Sequence, residues 1–199
     1  MTVPFVYPST PHQRRHGPHG YVDHASYRPW LRDEFSFRCV YCLLREQWAR
    51  HGSFGIDHFL AVALHPDKAS DYDNLLYACG TCNAVKGHRI LPDPLQVLTN
   101  GSVQVLPDGS INATNKDAAQ LIEVLGLDSD PSREFRMLWI GIVALAAKHD
   151  PNLHKMLMGF PSDLPNLARL RPPGGNMRPK GVAESCYLRK QMGNLPQTY

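Results

Sequence analysis

Two C-x-x-C pairs, Cys39–Cys42 and Cys79–Cys82, constrain this chain more than any other feature of its sequence. In each pair one tight turn presents two thiolates to a single ion. Two such turns complete a tetrahedral four-sulfur shell, which Zn²⁺ fills well and which leaves no open position for chemistry. Such a site is structural and supplies stability that a small apolar core lacks. Thirty-six residues separate Cys42 from Cys79, more than a compact zinc finger holds, so a folded segment must lie between the pairs. The fifth cysteine, Cys186, reads as an inert buried thiol. A redox reading of "CGTC" would leave the first pair unexplained. A zinc deaminase needs H-x-E and a proline before its C-x-x-C, and neither occurs. A zinc module that binds nucleic acid or protein without catalysis stays open.

Pro4, Pro8 and Pro11 stand where a signal peptide would need an apolar stretch. A disulfide framework is therefore not expected. The apolar run from Met137 to Ala147 is shorter than the roughly 20 residues that span a bilayer. The expectation is a cytoplasmic protein with no membrane partner. The formal net charge of +3 does not announce nucleic-acid binding, but its distribution is uneven. Residues 1–50 carry seven Lys/Arg against four Asp/Glu, residues 51–168 eight against thirteen, and residues 169–199 six against one. Basic ends suit phosphate contact, or they are simply solvated.

The punctuation of the chain suggests four segments. Residues 1–30, rich in Pro, His, Tyr and Arg, read as an irregular basic arm, ordered against a partner. The five histidines up to His51 (His12, His16, His19, His24 and His51) lack ligand spacing and read as surface residues. Residues 31–92 hold both cysteine pairs. There "FSFRCVYC" predicts a hairpin, "LLREQWARHG" a helix, "FGIDHFLAVAL" a strand, and the residues after Cys82 a short helix stopped by Gly87. Residues 93–150 predict a β-hairpin around Pro107-Asp108-Gly109, a helix ending near Gly126, and a helix from Pro131 to about His149. Residues 151–199, frequent in Pro and Gly, read as a basic, loop-like extension with one short helix near Glu184 to Met192.

Asp57-His58, Asn74 and Asn83 are distributed around the cysteine pairs. Phosphodiester hydrolysis needs a base for water, a cation for developing charge, oxygen ligands for that cation, and an orienting group for the base. His58 can take a proton near neutral pH. Asp57 is a hard oxygen ligand suited to Mg²⁺ or Mn²⁺, and Asn83 can add a carbonyl oxygen. Asn74 can accept from the imidazole N–H and fix its tautomer. Singly, each has an ordinary explanation as a turn, cap or niche residue.

In that order, "CVYC", "IDHF", "DNLLYACGTCN" and "NAVKG" resemble the HNH nuclease family in its cysteine-bearing branch, over roughly residues 35–90. The resemblance implies a zinc-stabilised ββα-metal core; with the β-hairpin and helical C-terminal extension read from the later residues, the expected fold class is α+β. It implies His58 as general base, Asn74 as its positioning residue, Asp57 and Asn83 as ligands of a catalytic Mg²⁺ or Mn²⁺, and Cys39, Cys42, Cys79 and Cys82 on structural Zn²⁺. Lys86, His88 and Arg89 would face phosphates, or else form a solvated helix end. Asn83 stands where many members have His, the variant of the HNH domains in RNA-guided nucleases. The proline common soon after Asp-His is delayed to Pro66, with Ala61 in its place. The implied activity is metal-dependent cleavage of DNA, with RNA as an alternative substrate. A role in restriction or phage defence follows from the family alone, and a controlling protein partner is expected because an unregulated nuclease would harm its host.

Overall fold

A five-residue antiparallel hairpin organises the centre of the chain. The computed structural model describes residues 4–199, and the first three residues of the expected arm lie outside the described residues. In chain order the elements are β1 (Pro18–His19), α1 (Arg28–Glu34), β2 (Phe54–His58), β3 (Leu75–Cys79), α2 (Gly80–Lys86), α3 (Pro94–Val97), β4 (Val103–Val105) and β5 (Ile111–Ala113). There follow α4 (Lys116–Val124), α5 (Asp130–His149), α6 (Pro151–Met158), β6 (Gly175–Asn176), α7 (Lys180–Ala183) and α8 (Cys186–Gln191). The fold is mixed α+β, with three two-stranded sheets among the described residues: β1 with β6, β2 with β3, and β4 with β5. No helix among them is long and apolar enough to cross a membrane.

Strands β2 and β3 pair from Phe54↔Cys79 to His58↔Leu75. Every residue of β3 is buried. Helix α1 packs against β3, and α2 lies against both strands. Helix α2 begins where the Cys79 side chain accepts from the Cys82 backbone N–H, and ends where Gly87 turns to φ 52°. That positive φ is one a side chain would strain, so the glycine sets the length of the helix. Around this centre runs one apolar cluster that includes Phe5, Trp30, Tyr77, Leu121 and Leu167. Residues from the arm, the cysteine block and both later segments therefore share a core.

Several expectations are corrected. "LLREQWARHG" makes only a 3-10 turn at Glu46–Trp48. Its side chains are drawn into tertiary bonds instead: Gln47 donates to the carbonyls of Leu157 and Gly159, and the Trp48 indole donates to Leu157. Trp48 also stacks flat on Trp139 of α5 with ring centres 4.2 Å apart. The strand from Phe54 stops at His58 rather than running on through the apolar residues that follow. The extension after Pro151 is also better ordered than its composition suggests. Asp150 caps α6 by accepting from Asn152 and Leu153, and Pro151 occupies the first turn, where a missing N–H costs nothing. Tyr199 packs on Phe160 and lies under the guanidiniums of Arg38 and Arg45.

The arm is the largest correction. It is ordered within its own chain, with β1 paired to β6 and His16 fully buried. The anchor is Glu34 at the end of α1. Its carboxylate accepts from the His12 ring at 2.9 Å, from the backbone N–H groups of Arg15 at 2.8 Å and His16 at 2.9 Å, and from the Tyr72 hydroxyl at 3.0 Å. Next to it, Asp33 accepts from the His16 ring and from the Cys186 N–H. A surface assignment for His12 and His16 fails because two carboxylates at the end of one short helix require donors from the passing chain.

Burial alone would push the Glu34 carboxyl up, but bonds from His12 and Arg15, aided by the nearby His16 charge, hold it down to about 2. A folded-state value below the unfolded one stabilises the ionised protein, so the contribution is full above about 4.5 and is lost as pH falls towards 2. Glu34→Gln should cost about 1–3 kcal/mol at pH 7, the range for a charge-accepting buried group. Urea denaturation of both proteins over a pH series should show that gap closing between about pH 4.5 and 2.

Candidate functional site: a cysteine tetrad beside a buried ion pair and a half-buried histidine

The first cysteine pair sits in a tight knuckle. Arg38 bridges Arg45 across it, Leu43 adopts φ 59°, and the Leu43 N–H returns to the Cys39 carbonyl. The Val40 N–H bonds the Tyr77 carbonyl, which docks the knuckle on β3. The second pair spans the end of β3 and the first turn of α2. All four sulfurs lie within 4.8 Å of one another, and Cys42 and Cys79 are 3.7 Å apart. Thiolates about 2.3 Å from a tetrahedral zinc stand about 3.8 Å from each other. None of the four is in a disulfide. The tetrad could therefore hold a structural zinc. Neighbouring cysteines pull the Cys79 thiol down and push those of Cys42 and Cys82 up, which is the conflict that one cation would resolve. Purified protein should carry one zinc per chain by elemental analysis, and Cys79→Ser should lose both the metal and cooperative unfolding. A chain that keeps its melting temperature after chelation would contradict this.

Asp57 has a different role from the one expected. It is 3% exposed. One oxygen accepts from the Tyr41 hydroxyl at 2.5 Å, and the other from the Lys86 ammonium at 3.1 Å. Lys86 is 1% exposed and also donates to the His58 carbonyl at 2.6 Å. Tyr41 lies between the two knuckle cysteines, so this carboxylate joins knuckle, strand and helix. Burial pushes its pKa up against the pull of Tyr41 and Lys86. Two expectations are corrected here. Lys86 does not face phosphates, because the buried carboxylate requires its charge. Asp57 does not offer an open oxygen to Mg²⁺ or Mn²⁺, since an ion could reach it only by displacing the ammonium. The pair formed with Asn83 therefore does not fit a catalytic ion in this arrangement.

His58 closes β2 and is half-buried. Its Nε2 lies 2.9 Å from the Ala69 carbonyl. A carbonyl only accepts, so Nε2 carries the proton and Nδ1 keeps its lone pair. Burial, with the neighbouring His24, lowers the imidazole pKa below its ordinary value despite the bond to Ala69. The ring is thus neutral and basic at Nδ1. Asn74 does not touch it, which corrects the expected contact. The Asn74 side chain accepts from Leu60 N–H at 2.7 Å and donates to the carbonyls of Leu60 and Lys68, each at 3.0 Å. It pins the loop between the strands, and that loop presents Ala69 to His58, so any effect of Asn74 on the ring is indirect.

Asn83 is half-buried on α2, one turn before Lys86, with its amide facing Gly55. His88 and Arg89 are exposed just past the helix, and Arg89 bonds back to the Val85 carbonyl. Tyr41 escapes the sequence reading, in which His24 is only a surface residue. Tyr41 could have been suspected only from its place inside a cysteine pair. His24 is brought to 5.0 Å from His58, ring centre to ring centre, with no spacing pattern to mark it.

Removing Lys86 should leave a buried carboxylate without its partner. Lys86→Met is expected to cost about 3–5 kcal/mol in chemical denaturation, and Asp57→Asn added to it should recover part of that loss. Equal stability of wild type and Lys86→Met would contradict the pairing.

No family model matches the chain, and no curated protein matches it in sequence.

Proposed function

We propose that this chain is a nuclease of the HNH type that hydrolyses phosphodiester bonds in DNA, with His58 as general base. The reading rests on one observation above all: the imidazole at the end of β2 has its Nε2–H committed to the Ala69 carbonyl, which leaves Nδ1 as an acceptor. The antiparallel hairpin, the helix α2 behind it and the sulfur tetrad beside it support the same reading, as does the order of the motifs along the chain. The chemistry proposed for His58 is simple. Nδ1 takes a proton from water, the water oxygen bonds to phosphorus, and the bond to the leaving sugar oxygen breaks. That oxygen takes a proton from solvent, and the imidazolium returns its own to solvent. Exposed His88 and Arg89 lie past the end of α2, where they can contact a backbone without reading its sequence. Lys86 takes no part in contacting phosphate.

A second reading has an observation in its favour. Asp57 is closed by Tyr41 and Lys86, as a zinc module with no catalytic role would have it.

Cleavage of supercoiled plasmid by the purified full chain separates the two. The assay is run with Mg²⁺, with Mn²⁺ and with neither, because a divalent ion could reach Asp57 only in exchange for Lys86. A structured RNA is tested in parallel. His58→Ala is expected to lower nicking by about 10²–10⁴-fold, the usual contribution of a positioned base. Zinc content and melting temperature should not change. Undiminished cleavage by His58→Ala would overturn the role of this residue. A zinc-loaded wild type that nicks nothing under any condition would favour the binding module.

A further inference from the structure

The arm brings a second imidazole to the proposed site. His24 and His58 meet edge to face, with ring centres 5.0 Å apart and planes at 72°. No hydrogen bond joins the two rings. The His24 side chain is 50% exposed, so this is not a ring consumed by the core. Its position is fixed from two directions. Asp23 caps the short 3-10 turn that carries it, accepting from the Ala25 N–H at 2.9 Å. One residue earlier, the Val22 carbonyl accepts from the Ser70 hydroxyl at 2.9 Å. Ser70 directly follows Ala69, whose carbonyl holds His58. A single loop therefore fixes both the tautomer of the base and the location of the second ring.

We infer that His24 is a substrate-contacting residue of the same site, and that its ring N–H donates a hydrogen bond to a non-bridging oxygen of the phosphate attacked by the water on His58. The inference rests on the nuclease reading above. Charge gathers on the non-bridging oxygens as water adds, and a donor fixed in advance at that place is worth more than one recruited from solvent. The closure of Asp57 makes such a donor more necessary. A water bound at His58 Nδ1 and an oxygen of the phosphate it attacks are close neighbours, and an adjacent imidazole is near enough to serve the second while His58 serves the first. His24 gives up no proton in this step. The proton lost by water resides on His58, and His24 only donates a hydrogen bond, which either of its protonation states can do.

The test compares full-length wild type, His24→Ala, His24→Gln and His58→Ala on duplex DNA. Three substrates are used: unmodified, and stereodefined phosphorothioate of either the Rp or the Sp configuration. Sulfur at the contacted position accepts a hydrogen bond poorly, so wild type should cut one isomer more slowly than the other. His24→Ala should cut unmodified DNA about 10²-fold more slowly, the cost of losing one such donor. It should also lose the isomer preference, while zinc content and melting temperature stay at wild-type values. His24→Gln, with an amide donor, should recover part of the rate. A His24→Ala protein that cuts at the wild-type rate, or that is slow but keeps the full isomer preference, overturns the inference and leaves His58 untouched. A wild type that cuts none of the substrates defeats the nuclease reading itself, and the contact assigned to His24 with it.

Discussion

Four sulfurs gathered within 4.8 Å join the knuckle of the first cysteine pair to the turn that starts helix α2. The knuckle at Cys39 and Cys42 carries Tyr41, while the turn at Cys79 and Cys82 starts the helix that carries Asn83 and Lys86. From those two turns the Tyr41 hydroxyl and the Lys86 ammonium both reach Asp57 on β2. A metal held by these four thiolates would therefore do more than stabilise a small domain: it would help keep a hydroxyl and an ammonium within the reach of one carboxylate.

That carboxylate in turn holds the end of β2. A charge buried to this degree is tolerated only with partners, and both of its oxygens have one. Lys86 then extends to the carbonyl of the next residue, so the backbone at His58 is held from one side by helix α2. The imidazole itself is held from the other side by a loop that Asn74 closes. Two separate networks, one ionic and one of amide bonds, therefore converge on one residue without either of them touching its Nδ1.

What the sequence revealed of this arrangement follows from how local each constraint is. The cysteine tetrad was readable because ligand spacing is a local property. Helix α2, its stop at Gly87, the hairpin of β4 and β5 and the long helix α5 were readable because caps, turns and periodicity are local too. The roles of Asp57, Lys86 and Asn74 were misread, although each was singled out. Residue type says that a carboxylate can bind a cation, but not whether that cation is a metal or a lysine 29 positions later. The arm was misread for the same reason. Nothing near His12 or His16 indicates that Glu34 and Asp33 await them across a turn and a helix. The failed helix at Glu46–Trp48 shows the converse, a good local propensity overridden by side chains that bond to residues more than a hundred positions away.

The pairing of β1 with β6 joins Pro18 to Asn176, and close by Arg178 reaches both the His16 carbonyl and the Asp73 carboxylate. Contacts between residues so far apart in the chain form late, because each needs a long closed loop before it brings any return. On a ribosome that delay becomes an order of events. The cysteine tetrad and the β2–β3 hairpin can close as soon as residue 86 has emerged. The strand that secures the arm carrying His24 must wait for the translation of some ninety residues more. A nascent chain could thus close its sulfur tetrad and seat His58 early but would gain a firmly seated His24 only once β6 had been made, so that the two imidazoles would come together in sequence rather than at once.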